Sequence, residues 1–212
     1  MSNAVESHLS APVQPVPERT LSARTAFSGR LLKVEVLDVE LEPGVRAVRE
    51  VIRHPGAVAV VAECQDGRWV FVRQFRKAVE QSLLEVVAGG LNPGEAPESC
   101  ARREMHEETG HEVLALRPLG SVYPTPGYNS EVIHLFHATV SASRATRHQG
   151  DHDERISVEY LTRQAFEDLI RQGMVRDAKT LAAWLLYKSE EPAHSGPTPG
   201  RTRKVPAKVV PG

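Results

Sequence analysis

The chain has 212 residues, a formal net charge of −1 at pH 7 and 41% hydrophobic residues. That describes one ordinary soluble globular domain with tails. There is no basic excess for a specific nucleic-acid partner, and no apolar run is long enough to span a membrane.

Residues 1–18 carry Pro12, Pro15 and Pro17 with little apolar periodicity, which predicts a disordered tail. Residues 19–55 form an N-terminal β extension. Within it Ser28-Gly29 and Pro43-Gly44 are turn signals, and Val45–Arg53 is strand-like. The alternation Leu32, Val34, Val36 changes phase to Leu37, Val39, Leu41, which predicts a bulge between the two runs. Residues 56–189 make the main domain. Its first run, Ala57–Val61, is apolar throughout, as in a strand buried on both faces. Asp66-Gly67 predicts a hairpin into Trp69–Val72.

A strand over Ser82–Val87 then delivers Ala88 and Gly89 to the segment GGLNPGEAPESCARREMHEETGH. Short strands are expected near Glu112–Leu116 and Leu119–Tyr123, followed by Val132–Val140 and Arg155–Leu161. Helices are expected over Gln164–Gln172 and Ala178–Lys188, the second with Leu181, Leu185 and Leu186 on one side. Residues 190–212 hold five prolines with Arg201, Arg203, Lys204 and Lys208, a disordered basic tail. A majority of strands with a few packed helices predicts an α+β fold or an α/β/α sandwich. Cys64 and Cys100 are far apart and lie in apolar runs, so free buried thiols are expected, in a reducing compartment such as the cytoplasm.

The segment from Gly89 to His111 carries the chemistry. Pro97 suits a first helical turn, Glu95 and Glu98 suit the positive end of the helix dipole, and Gly110 is a stop. Ala101 and Met105 are spaced to form a buried stripe. Cys100, Glu104 and Glu108 share the neighbouring stripe, and Glu107 flanks it. Arg103 is placed to pair with Glu107. So many carboxylates repel one another unless cations sit among them, and hard oxygen ligands suit Mg²⁺ or Mn²⁺. A glycine loop ahead of the helix lets backbone approach a ligand. The bland alternative is a solvated acidic face.

Gly89, five residues, Glu95, seven residues, then Arg103-Glu104-Met105-His106-Glu107-Glu108-Thr109-Gly110 resembles the box of the Nudix hydrolases. The box ordinarily ends on an aliphatic residue, and His111 stands there, which predicts one weakened packing contact. The lead-in FVRQFRKAVEQSLLEVVAGGL, the segments SGRLLKVEVLDVEL and REVIRHPGAVAVVA, the proline-containing TPGYNSE and the final RDAKTLAAWLLY resemble one branch, the ADP-ribose pyrophosphatases and related nucleoside diphosphate sugar hydrolases.

The resemblance implies an α/β/α sandwich with a mixed sheet and an N-terminal β-hairpin extension that dimerises the chain. It implies Mg²⁺ or Mn²⁺ on Glu104, Glu108, Glu107 and the Ala88 carbonyl, with Arg103 orienting the glutamates and Glu95 holding the loop or a metal-bound water. The general base is expected in the acidic loop 150–155, with Glu154 first and Asp153 in reserve. His148 and His152 are four apart, but Gly150 between them argues against a metal-binding helix face. Arg53 and Arg76 are candidate phosphate contacts, each equally readable as a surface arginine. Glu85 would bind a ribose hydroxyl or support the metal site. Gly127, Tyr128 and Ser130 would shape the ribose end. Phe27 is the nearest aromatic for a base, and reads more simply as core. The implied activity is hydrolysis of the pyrophosphate of ADP-ribose or a related nucleoside diphosphate sugar to AMP and a sugar phosphate. A GDP-sugar, a flavin dinucleotide or NADH are alternative substrates, and a non-catalytic nucleotide-sugar sensor is the alternative class. Every charged position of the box is filled, which favours the enzyme.

Overall fold

The computed structural model describes residues 17–144 and 156–190, which contain ten strands and three α-helices. The tails expected at 1–18 and 190–212 lie outside these residues but for their inner ends, and the acidic loop 150–155 lies wholly outside them.

Strands β1 (Arg19–Ser28), β2 (Lys33–Glu42) and β3 (Val45–Arg53) form a three-stranded antiparallel sheet. The N-terminal extension is thus two successive hairpins. Gly44 makes the second turn with φ 82°, a conformation that glycine adopts at no steric cost. The bulge expected at Val36–Leu37 is absent: Val36 pairs with Glu50 and Leu37 with Arg49 without a break. The phase switch instead reflects an unbroken strand with apolar residues on both faces. Leu37 and Val39 are buried on one side, and Val34 and Val36 are half-buried on the other. The register shifts fall between Thr20 and Ser22, between Thr25 and Phe27, and between Glu40 and Glu42.

The remaining strands are β4 (Ala57–Cys64), β5 (Trp69–Arg76), β6 (Gln81–Glu85), β7 (Val87–Gly90), β8 (His111–Val122), β9 (Ile133–Arg144) and β10 (Ile156–Leu161). They form one seven-stranded sheet with the path β10-β5-β4-β9-β8, on which β6 pairs with β5 and β7 with β4. β4 and β9 run parallel and the other pairs are antiparallel, so the sheet is mixed.

The period-two geometry of a strand explains the apolar run. On β4, Val58, Val60 and Ala62 pack with Ala101 and Met105 of helix α1 (Pro97–Thr109). Ala59 and Val61 pack with Phe166 of α2 (Arg163–Arg171) and Trp184 of α3 (Ala178–Ser189). One helix covers one face and two cover the other, which makes the expected α/β/α sandwich. Phe71 and Phe166 stack with ring centroids 4.0 Å apart, and Trp184 meets Phe166 and Trp69 edge-on at 4.7 and 4.9 Å. Such pairs add about 0.5–1.5 kcal/mol each to the burial of the rings.

Several element boundaries differ from expectation. The strand expected over Ser82–Val87 is two strands that part at Val86, because the chain changes partner from β5 to β4 there. The two short strands expected after α1 are one, β8, running through Pro118; β8 is an edge strand, where proline is tolerated. On α3 the buried stripe is Thr180, Ala183 and Trp184, and Leu185 is 67% exposed. The helical period favours the tryptophan that joins the aromatic cluster over the leucine beside it. Phe27 is 56% exposed, so it is not a core residue. Cys64 and Cys100 are buried free thiols, as expected.

His137 of β9 stacks on Tyr187 at 4.9 Å and lies opposite Arg117 of β8. Burial first, and Arg117 second, lower its pKa from 6.5 to about 4. The unfolded chain therefore takes up this proton before the folded one. Stability from this residue should be complete above pH 6.5 and decline as pH falls towards 4. Urea titrations of wild type and His137→Phe at pH 7 and pH 4.5 should show a smaller pH penalty in the variant. Equal penalties would mean that the ring is protonated in the fold.

Candidate active site

Helix α1 starts where the backbone chemistry requires. Ala96 is extended at the N-cap and Pro97 opens the helix, its missing N–H costing nothing in the first turn. Gly110 closes it at φ 73° and donates its N–H to His106 O. Ahead of it Glu95 folds the loop back, with its N–H on Asn92 O at 3.0 Å and its Oε2 accepting Asn92 N–H at 2.9 Å.

The cation among the carboxylates is Arg103. Its Nε and Nη2 reach the two oxygens of Glu95, both at 2.8 Å. Nη1 reaches Glu104 Oε1 at 2.6 Å and Glu107 Oε2 at 2.9 Å, and Nη2 also reaches Gly90 O at 3.1 Å and Cys100 Sγ at 3.2 Å. One guanidinium thus ties three glutamates to the glycine loop. The Arg103 bonds, aided by the Asn92 N–H, hold Glu95 down to about 2, so it stays ionised. Burial is the main cause that pushes the Cys100 thiol up to about 12, which makes it an unreactive packing group.

Glu104 lies directly on Gly89. A Cβ built on Gly89 would stand 2.0 Å from Glu104 Cδ and 2.1 Å from its Oε1. The second glycine of the pair meets nothing within 4 Å. Gly89 is therefore the position where the loop gives way to a carboxylate. Ala88, its neighbour, pairs with Ala59 on β4, and one oxygen of Glu108 is buried. Among the described residues no three His, Cys, Asp or Glu side chains stand in a ready metal-binding cluster. The donor chemistry nonetheless fits a hard divalent ion, because the helix face offers carboxylate oxygens and the Gly89 cradle brings one of them against backbone.

His111 is fully buried where the box ordinarily has an aliphatic residue. Its Nδ1 is 2.8 Å from Ser141 O and its Nε2 is 2.7 Å from Tyr160 Oη. A carbonyl can only accept, so Nδ1 carries the proton and Nε2 accepts the tyrosine O–H. Burial is the main cause lowering its pKa, which keeps the ring neutral. The expected weakened contact is thus replaced by two hydrogen bonds. His106 is exposed, as its open position in the pattern implies.

Two further groups surround the loop. Tyr128 O accepts Ile52 N–H at 2.7 Å, and Ser130 N–H reaches Ile52 O at 3.0 Å, so the TPGYNSE segment is tied to the end of β3. Ser130 Oγ accepts His54 N–H at 3.0 Å. Arg53, at the last position of β3, pairs with Glu35 at 2.9 Å. Leu91 N–H reaches Gly56 O at 3.1 Å and Ala57 N–H reaches Val132 O at 2.9 Å, so this end of the sheet also receives the glycine loop. Nothing lies within 4 Å of a Cβ built on Gly127.

Glu85 is 1% exposed, and Arg76 grips both its oxygens at 2.7 Å through Nε and Nη2. Lys179 Nζ of α3 donates to the same carboxylate. Burial pushes this carboxyl up, but Arg76 and Lys179 outweigh it and hold it below the usual range. Lys179 and its neighbours Asp177 and Thr180 escaped the sequence reading. Asp177 is the N-cap of α3, accepting Thr180 N–H at 2.9 Å. The signal for the cap was present in RDAKT as an aspartate before a helix, but the tie from Lys179 to Glu85 spans 94 residues. Glu154 and Asp153 lie outside the described residues.

Residues 53–185 match the family described as NUDIX domain. The chain is 37% identical over 171 residues to an ADP-ribose pyrophosphatase of Bacillus subtilis, covering 81% of this chain and 92% of that protein. It is 39% identical over 166 residues to a methanol dehydrogenase activator of Bacillus methanolicus, covering 78% and 90%. It is 39% identical over 145 residues to a GDP-mannose pyrophosphatase of Cronobacter sakazakii, covering 65% and 75%. Among solved structures, one titled as an ADP compounds hydrolase superposes with a TM-score of 0.71 at 25% identity, covering 85% of this chain and 96% of that one.

Gly89→Ala tests the cradle. The clashing atoms belong to the far end of a flexible side chain, so the variant should stay within about 1 kcal/mol of wild type in stability. Its Glu104 carboxylate must swing away, and turnover should fall about 100-fold or more. Denaturation midpoints and steady-state rates on the two proteins check both halves; a normal rate would show that Glu104 acts from elsewhere.

Proposed function

The chain belongs to the Nudix family, and on that premise we propose that it hydrolyses the pyrophosphate bond of a nucleoside diphosphate sugar, with ADP-ribose as first candidate. The observation that carries the reading is the complete charged box gathered on Arg103, with Glu104 seated on Gly89. A degraded box would have favoured a sensor. The relatives named for GDP-mannose keep a GDP-sugar as the second substrate reading.

Nudix hydrolases use divalent metal ions, and Mg²⁺ or Mn²⁺ is proposed here, on Glu104, Glu108, Glu107 and the Ala88 carbonyl. When bound, such an ion supplies neutralisation of pyrophosphate charge and acidification of a water. Arg103 presents Glu104 and Glu107 in fixed orientation, bridging them through Nη1 and offsetting their repulsion. Glu154 is proposed to take the proton of the attacking water as its oxygen bonds to one phosphorus. The bond from that phosphorus to the bridging oxygen then breaks, leaving AMP and a sugar phosphate. Arg76, held on Glu85, and Arg53, held on Glu35, are proposed to steady the phosphates. Ser130 and Gly127 would border the ribose, on the segment tied to β3.

A second copy of the chain is proposed to cover the N-terminal sheet, whose Phe27, Leu31, Val45 and Val48 are exposed at 40% or more. Buried free thiols suit a reducing compartment such as the cytoplasm. Among the described residues no helix is long and apolar enough to cross a membrane.

A panel of ADP-ribose, ADP-glucose, GDP-mannose, NADH and flavin adenine dinucleotide with Mg²⁺ or Mn²⁺, products resolved by chromatography, tests the reading. AMP and ribose phosphate should form fastest from ADP-ribose, by a protein that sediments as a dimer. Tight binding without turnover on every compound would restore the sensor; an active monomer would remove the second copy. Glu154→Gln should lower kcat by about 100-fold and leave KM near wild type, as loss of a base does. A change in KM alone would move Glu154 from base to binding.

A further inference from the structure

We propose that Thr180 is a positioning residue for the glycine loop, pinning the strand switch at Val86 to the first turn of α3. The inference rests on the hydrolase reading above and adds a residue that touches neither substrate nor metal ion.

At Glu85 the chain still pairs with Val72 of β5, and at Val87 it pairs with Val60 of β4. Val86 stands between the two ladders and is 0% exposed. An amide buried at such a switch must find its acceptor outside the sheet. Val86 N–H donates to Thr180 Oγ1 at 2.9 Å. Thr180 is also 0% exposed, and its hydroxyl donates onward to Asp177 Oδ2 at 2.6 Å. Asp177 accepts Thr180 N–H and Lys179 Nζ as well, at 2.9 and 3.0 Å, so the hydroxyl has one orientation available. Lys179 and Arg76 fix the Glu85 carboxylate.

Both consecutive residues of the switch are thereby attached to α3 or β5, one through its side chain and one through its amide. Two residues on is Ala88, and the next is Gly89, on which Glu104 lies closer than any Cβ would allow. A small change in the path of Val86 moves both. Thr180 sets the offset of the loop from the opposite face of the sheet to α1.

Thr180→Val keeps the shape and removes the hydroxyl, leaving the Val86 amide buried without its acceptor. Amide exchange, followed by mass spectrometry without metal or substrate, should quicken about 10- to 100-fold over 86–90 and stay unchanged over 135–138 of β9, which does not pair with β7. In turnover assays kcat should fall about 10- to 100-fold with KM within about threefold. Thr180→Ser restores the hydroxyl and should return both readings to within about threefold of wild type. Unchanged exchange or unchanged kcat in the valine variant overturns the proposal. So does a serine variant as impaired as the valine one, since packing by the methyl group would then be the cause; this arm decides even if the valine variant does not fold. A wild type silent on every nucleotide sugar would count against the hydrolase reading alone, because the exchange experiment still decides whether Thr180 holds the loop.

Discussion

The site depends on a single positive charge. Arg103 lies among Glu95, Glu104 and Glu107, and without it those carboxylates would repel at the distances that the helix and the loop ahead of it impose. The guanidinium is planar and rich in donors, so it fixes direction as well as charge. Its reach to Gly90 O extends that control to the loop. The helix and the loop are therefore one electrostatic unit.

That unit needs a rigid bed. The bed is a sheet buried on both faces, with α1 on one side and the aromatic cluster of α2 and α3 on the other. β4 runs through its centre and pairs with β7, so the glycine loop leaves from a strand laid against the buried β4. The helix on the far face is not a passive cover. Through Asp177, Lys179 and Thr180 it holds the strand switch that aims the loop. At the other end of α1, His111 ties the helix exit to β9 and β10 through Ser141 and Tyr160. The residue that breaks the motif is the one that fastens it to the sheet.

Much of this was legible in the linear chain because it is local. Pro97 and Gly110 bound α1 as their backbone preferences require, and the stripe of Ala101 and Met105 follows from helical spacing. The buried run Ala57–Val61 and the Asp66-Gly67 hairpin are likewise short-range facts. The errors arose where a contact came from far away. Val36 and Leu37 read as a bulge because nothing local says that β2 carries apolar residues on both faces without a break. Phe27 read as core because an aromatic alone does not reveal its neighbours.

The sequence by itself determined the helix Pro97–Thr109, its acidic face, the glycine loop and the family they mark, since spacing along a helix dictates which side chains share a face. Tertiary structure alone decided that Arg103 joins three glutamates at once, that Glu104 occupies the space Gly89 leaves, and that Glu85 answers to Arg76 and Lys179 together. Arg103 meets Glu95 eight residues back across a loop, Arg76 meets Glu85 nine residues on across a hairpin, and Lys179 meets Glu85 from 94 residues away. Their geometry is set by how strands change partners and helices pack across a sheet, and no local spacing encodes it.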